Sequence, residues 1–211
     1  WRVALGAVAA DSDFSEKAYA LGAATAQVHA TLADCFPTVP ASDELVTSVL
    51  VSIQRRREVA EAIAPQLLEV QSELDRILAT AADAPWPTLR RIHGDYHLGQ
   101  VLWSNEYGWI LVDFEGEPAR PMAERSEPDL ALRDIAGMLR SFDYAVGSHY
   151  HETHAASGQA RDSSWAGVAQ TAFLDGYTHA SGFDPRSSPL LRILVLDKAL
   201  YEVTYEARNR P

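Results

Sequence analysis

Residues 93–100 read His93-Gly94-Asp95-Tyr96-His97-Leu98-Gly99-Gln100, and residues 113–118 read Asp113-Phe114-Glu115-Gly116-Glu117-Pro118. Between them lie two short β-prone runs, residues 101–103 and 109–114, joined by Ser104-Asn105-Glu106-Tyr107-Gly108, a polar connection ending in glycine. That pattern predicts a β-hairpin. A hairpin brings its two outer ends together, so Asp95, Gln100 and Asp113 are expected to converge at one mouth. Two carboxylates and an amide oxygen are hard ligands suited to Mg²⁺, which shares its shell with water and phosphates. A carboxylate left off the metal can orient and deprotonate a hydroxyl nucleophile, and phosphoryl transfer needs those parts.

Outward from the hairpin the pattern is helical. On the N-terminal side, Leu21, Ala24, Val28 and Leu32 recur at helical spacing within residues 14–32, with Ser15 as the expected N-cap. Pro37 and Pro40 break that helix. A second amphipathic run begins near Ser42 and reaches Leu78, with Pro65 predicting a break or restart. On the C-terminal side, residues 116–128 hold three prolines and read as loop. Helices are predicted over 130–144, 165–176 and 190–208, with a polar linker at 149–164.

Composition narrows the function classes. The 211 residues are 47% hydrophobic and 22% charged, as in folded proteins. The net charge of −11 gives nucleic acid or an anionic membrane no broad electrostatic reason to bind. The single cysteine, Cys35, allows no internal disulfide and no multi-thiolate zinc site, which suits a reducing cytoplasm. No apolar run approaches the roughly 20 residues that span a bilayer, and residues 1–10 do not read as a signal peptide. The chain opens at Trp1 and carries only two lysines, Lys17 and Lys198. It reads as a piece of something longer.

The pattern H-G-D-x-H, an amide residue, a hairpin and then D-F-x resembles the catalytic and metal-binding loops of the aminoglycoside phosphotransferase and choline kinase-like superfamily. More narrowly, HGDYHLGQVL, DFEGEP, LRDIAGMLRSFDYA (residues 132–145) and LYEVTYEARNRP (residues 200–211) resemble the bacterial maltokinases and the glucosamine kinases related to them. The likeness runs over residues 91–145 and 197–211, and more weakly over 20–33. Residues 37–87 match only in helical character.

This resemblance implies a mainly α fold with a small catalytic β-hairpin, the C-terminal lobe of a protein kinase-like fold. Residues 1–211 would form that lobe: a helical segment at 14–84, the catalytic loop and metal-binding hairpin at 85–118, and a helical sugar-site segment at 129–211. Asp95 would be the catalytic base. Gln100, standing where most of the superfamily has asparagine, would hold Mg²⁺ through its amide oxygen, and Asp113 would hold Mg²⁺ against the ATP phosphates. Glu115, where kinases usually have glycine, would make a second-metal or water-mediated contact, or a structural hydrogen bond. His93 and Asp134 would support the loop, and His97 would support it and meet the substrate. Tyr201, Glu202, Glu206 and Asn209 would line the sugar site, the alternative being a solvated helix face.

The implied activity is ATP- and Mg²⁺-dependent phosphorylation of maltose to maltose 1-phosphate in the cytoplasm, with trehalose synthase as a partner. A glucosamine kinase giving glucosamine 6-phosphate is the alternative, and a non-catalytic sugar-binding module the third. An aminoglycoside kinase fits less well, because DFEGEP departs from the usual context. The N-terminal nucleotide-gripping lobe is expected to be absent: no β-rich segment precedes residue 85 and neither lysine suits the phosphate-gripping role. This segment alone is expected to be inactive. Other signals are decoys: Gly94 and Gly99-Gln100 lack the lysine of a phosphate loop, and His151-Glu152-Thr153-His154 is one residue short of a zinc-binding helix motif. With His149, that cluster reads as polar loop.

Overall fold

Helix boundaries follow the serine and proline punctuation of the chain. The computed structural model describes residues 1–116, 124–154 and 164–209. Its helices are α1 (Arg2–Ala9), α2 (Ser15–Cys35), α3 (Asp43–Ile63), α4 (Gln71–Ala82), α5 (Ala131–His154), α6 (Ser164–Ser181) and α7 (Pro189–Asn209). Strands β1 (Val101–Ser104) and β2 (Gly108–Leu111) form the hairpin. Ser42 caps α3, its Oγ accepting from Leu45 N at 3.2 Å, and Asp43 and Glu44 sit in the first turn, where the helix dipole favours carboxylates. Pro65 opens a 3₁₀ turn that separates α3 from α4.

Around the hairpin the core is built from crossing helices. Helices α2 and α6 meet at Gly22 and Gly176. A Cβ on Gly22 would fall 1.9 Å from the Phe173 carbonyl oxygen, and one on Gly176 the same distance from that of Tyr19. Only hydrogen at both positions lets the two backbones approach so closely. Helix α5 runs past this pair and buries Ile135, Met138 and Phe142. Helix α7 packs on α5 by one side and receives α3 and α4 on the other. The hairpin is antiparallel, with Val101 opposite Leu111 and Trp103 opposite Trp109. The Trp109 indole donates to the Lys17 carbonyl at 2.8 Å, which anchors the hairpin to α2.

Several boundaries differ from the sequence expectation. Helix α1 was not anticipated. Ser15 is the first residue of α2 rather than its cap, and its N–H donates to Asp13 Oδ1 at 2.8 Å. Strand β2 ends at Leu111, short of the expected 114, because Asp113 adopts a left-handed backbone (φ 65°) that no strand tolerates. The linker expected from residue 149 is helical as far as His154, so the His149–His151 cluster lies on α5. Residues 155–163, and 117–123 of the expected loop with Glu117 and Pro118, lie outside the described residues. Among the described residues no helix is long and apolar enough to cross a membrane.

Candidate active site

The loop of residues 93–100 has little regular structure of its own, so its shape comes from what grips it. Helix α5 does most of this from one stripe, Asp134, Gly137 and Ser141, spaced three and four residues apart. The buried Asp134 carboxylate accepts from His93 N at 2.8 Å and Gly94 N at 3.0 Å. A Cβ on Gly137 would stand 2.6 Å from the Tyr96 carbonyl oxygen, so glycine here lets the loop backbone lie on the helix. Ser141 Oγ accepts from Leu98 N at 3.0 Å. From α2, Thr25 shares a hydrogen bond of 2.8 Å with the Tyr96 hydroxyl.

Asp134 is held in turn by His29, whose Nε2 lies 3.0 Å away and whose Nδ1 meets the Tyr177 hydroxyl at 3.1 Å. Burial pushes the Asp134 carboxyl upward, but the contact with His29 and the N–H groups of Gly94 and His93 outweigh it and hold it below the usual range. His93 ties the loop to the hairpin: its Nε2 donates to the Val112 carbonyl at 2.8 Å and its ring packs 4.8 Å from that of Phe114.

At the mouth of the hairpin, Gln100 Nε2 donates to Asp113 Oδ2 at 2.8 Å. Asp113 and Glu115 are exposed and Gln100 is half-buried. Among the described residues no group of three or more His, Cys, Asp and Glu stands together as a metal site. The mouth offers instead one carboxylate and one amide, the sparse oxygen set that Mg²⁺ accepts when waters and phosphates complete its shell. Those residues therefore fit a substrate-borne Mg²⁺ and not a closed protein cage.

Asp95 lines a cleft of about 700 Å³ that His97, Lys198, Tyr201, Glu202 and Tyr205 also line, a volume typical of small-molecule sites. A smaller recess joins it at Asp95, bounded by Arg133, Asp134 and Tyr201. His97 Nε2 stands 4.0 Å from Asp95 Oδ2, while its Nδ1 accepts from Gly99 N at 2.9 Å. Burial pushes the His97 pKa down, Asp95 pulls it up, and Lys198 and His93 add to the lowering. Two of the four residues expected on α7, Tyr201 and Glu202, line the cleft, and Tyr205 joins them, stacked on Tyr201 at 6.1 Å. Glu206 accepts from the Tyr144 hydroxyl at 3.1 Å. Asn209 is the last residue of α7, and the expectation for its side chain lies outside the described residues.

Sequence reasoning missed three things here. Glu202 is paired with Arg140, whose Nε and Nη2 donate to its Oε2 at 3.2 and 2.6 Å. Lys198, set aside as an ordinary helical lysine, reaches the mouth of the cleft. The Asp134–Gly137–Ser141 stripe was legible as polar and small residues at helical spacing within an apolar helix.

Residues 4–187 match the phosphotransferase enzyme family. The chain is similar to a glucosamine kinase of Mycolicibacterium smegmatis, 29% identical over 204 residues, covering 91% of this chain and 49% of the relative. It is also similar to a glucosamine kinase of Streptacidiphilus jiangxiensis, 31% identical over 212 residues, covering 90% of this chain and 45% of the relative. A solved structure titled glucosamine kinase in complex with glucosamine, ADP and inorganic phosphate superposes with a TM-score of 0.79 at 26% identity, over 91% of this chain and 50% of that one. Another glucosamine kinase structure (crystal form A) gives a TM-score of 0.83 at 24% identity, over 98% of this chain and 50% of that one, and bears on the fold alone. The chain spans about half the length of the curated relatives it matches. The expected fold class, mainly α with one hairpin, is the one found.

Proposed function

We propose, since this chain belongs to the phosphotransferase enzyme family, that the whole protein transfers the γ-phosphoryl group of ATP to a hydroxyl of a small sugar. The observation that carries this is the position of Asp95, in a cleft walled by Tyr201 and Glu202, one loop away from the Gln100–Asp113 pair. A sugar lying against α7 presents a hydroxyl to Asp95, which accepts its proton as the sugar oxygen–phosphorus bond forms. The bond between γ-phosphorus and the bridging oxygen breaks, and ADP leaves. Asp113 and Gln100 would hold Mg²⁺, with Glu115 two residues on; the ion supplies charge neutralisation on the phosphates. In this reading the lysine that grips the nucleotide belongs to an N-terminal lobe of the whole protein, and the proposed setting is cytoplasmic.

The likeness to glucosamine kinases supports glucosamine as the acceptor, giving glucosamine 6-phosphate. Maltose, giving maltose 1-phosphate, is the second acceptor to test: the Tyr201–Tyr205 stack forms an apolar wall of the kind on which sugar rings pack. A trehalose synthase partner belongs to the maltose reading alone. The deciding experiment is a sugar panel with ATP and Mg²⁺ on the full-length protein. Glucosamine is expected to be phosphorylated, turnover of maltose alone would favour the second acceptor, and sugar binding without turnover would leave only a binding module.

A further inference from the structure

The cations around Asp95 differ in how firmly they are committed. Arg56 Nη1 lies 2.5 Å from Asp197 Oδ1, and Arg133 donates to Asp197 Oδ2 at 3.1 Å and forms an ion pair with Asp129 at 2.9 Å. Arg140 is held by Glu202 and Asp143. Lys198 stands apart: its Nζ is 3.9 Å from Asp95 Oδ1, beyond hydrogen-bond distance, and 5.1 Å from the centre of the Tyr201 ring. It lines both cavities that join at Asp95. The Asp95 carboxylate is thus flanked by an ammonium at one oxygen and the His97 imidazole at the other.

We propose that Lys198 is a catalytic residue of the proposed transfer, its ammonium meeting the phosphoryl group in transit beside Asp95. This rests on the sugar-kinase reading above and adds a residue to it. A base accepts a proton across about 2.6–3.2 Å, and the reacting oxygen and phosphorus start about 3–3.5 Å apart. The γ-phosphorus therefore passes within roughly 6 Å of Asp95. A lysine already 3.9 Å from that carboxylate, on a flexible four-carbon stem, reaches the same space. Charge spread over the phosphoryl oxygens in the transition state is what such a cation stabilises. In the resting site the same ammonium keeps Asp95 company, and the Tyr201 face steers it by a cation–π contact.

The test uses the full-length protein with Lys198→Met, Lys198→Arg and, as a control, Lys17→Met, whose ammonium sits over the Trp103 ring at 4.9 Å. Lys198→Met is expected to lower kcat by about 10²-fold or more, with KM for the sugar little changed. Lys198→Arg recovers a large part of the loss and Lys17→Met behaves as wild type. With ATPγS in place of ATP, the slowing caused by sulfur shrinks in Lys198→Met, because the contact that sulfur weakens has gone. Should Lys198→Met fail to fold, the Arg variant and its sulfur effect carry the comparison. A kcat within about twofold of wild type overturns the assignment while leaving the kinase reading standing; so does a loss confined to KM. A wild-type protein silent on every sugar removes the kinase reading, and this assignment with it.

Discussion

Asp134 shows most plainly how one side chain sets the site. It accepts from the backbone of His93 and Gly94 and meets His29, while fully enclosed. Replacing it by Ala would leave those donors buried and unpaired, and a stability loss of about 3–5 kcal/mol is expected from urea unfolding. Its acidity gives a second prediction. A carboxyl held below its ordinary value in the folded state contributes stability that is present above about pH 4. That contribution is lost as the pH falls through the lower folded value. Wild type should therefore lose stability more steeply than Asp134→Asn between pH 5 and 3, measured by urea midpoints. At the cleft, Asp95→Asn should lower kcat by about 10²–10⁴-fold with Mg-nucleotide binding retained, checked by steady-state kinetics and calorimetry on the full-length protein. The Gln100–Asp113 contact was legible because a hairpin brings its two outer ends together. Lys198 and Arg140 were not, since a cation on a helix has the same local signature whether it faces water or a carboxylate 62 residues away in sequence, as Arg140 does.

Among the elements, α5 is the platform on which the 93–100 loop is moulded. Gly137→Ala tests this directly. In an isolated helix the change would be favourable by about 0.5–1 kcal/mol. Here the new methyl would collide with the Tyr96 carbonyl, so the expected result is a net loss of about 1–3 kcal/mol together with lowered turnover. Denaturation and kinetics on the same sample decide it. A gain in stability with turnover unchanged would mean that the loop lies on α5 without being shaped by it. The hairpin, the start of α3 near Ser42 and the Pro65 break were readable because each follows from local turn chemistry or helix punctuation. The first turn of α2 was misread because Asp13 supplies the hydrogen bond assigned to Ser15. The end of β2 was misread because nothing in an alternating run announces a left-handed aspartate.

For the whole molecule, two groups of helices meet at α7, and burial differs between them. Helix α5 buries Ile135, Met138 and Phe142 and α6 buries Phe173, Leu174 and Tyr177, whereas α3 exposes Val51, Val59 and Ile63. Among the described residues α3 and α4 join the rest chiefly through α7, helped by the Arg56–Asp197–Arg133 bridge. Hydrogen exchange should accordingly show faster amide exchange in α3 and α4 than in α2, α5 and α6. Equal protection throughout would show that the outer layer unfolds only with the core. This layering was hidden from the sequence, where residues 42–78 look like any amphipathic helix pair; which face meets which neighbour is decided by contacts far apart along the chain.

Asp197 and Lys198 are consecutive residues of α7, about 100° apart around the helix axis. One clasps the outer layer through Arg56 and the other turns toward Asp95. One turn of α7 therefore serves both the outer layer and the cleft, while the 93–100 loop is held from α5. The loop that carries Asp95 and the wall of the cleft are thus held by different helices, and at α7 the cleft and the outer layer become mechanically one.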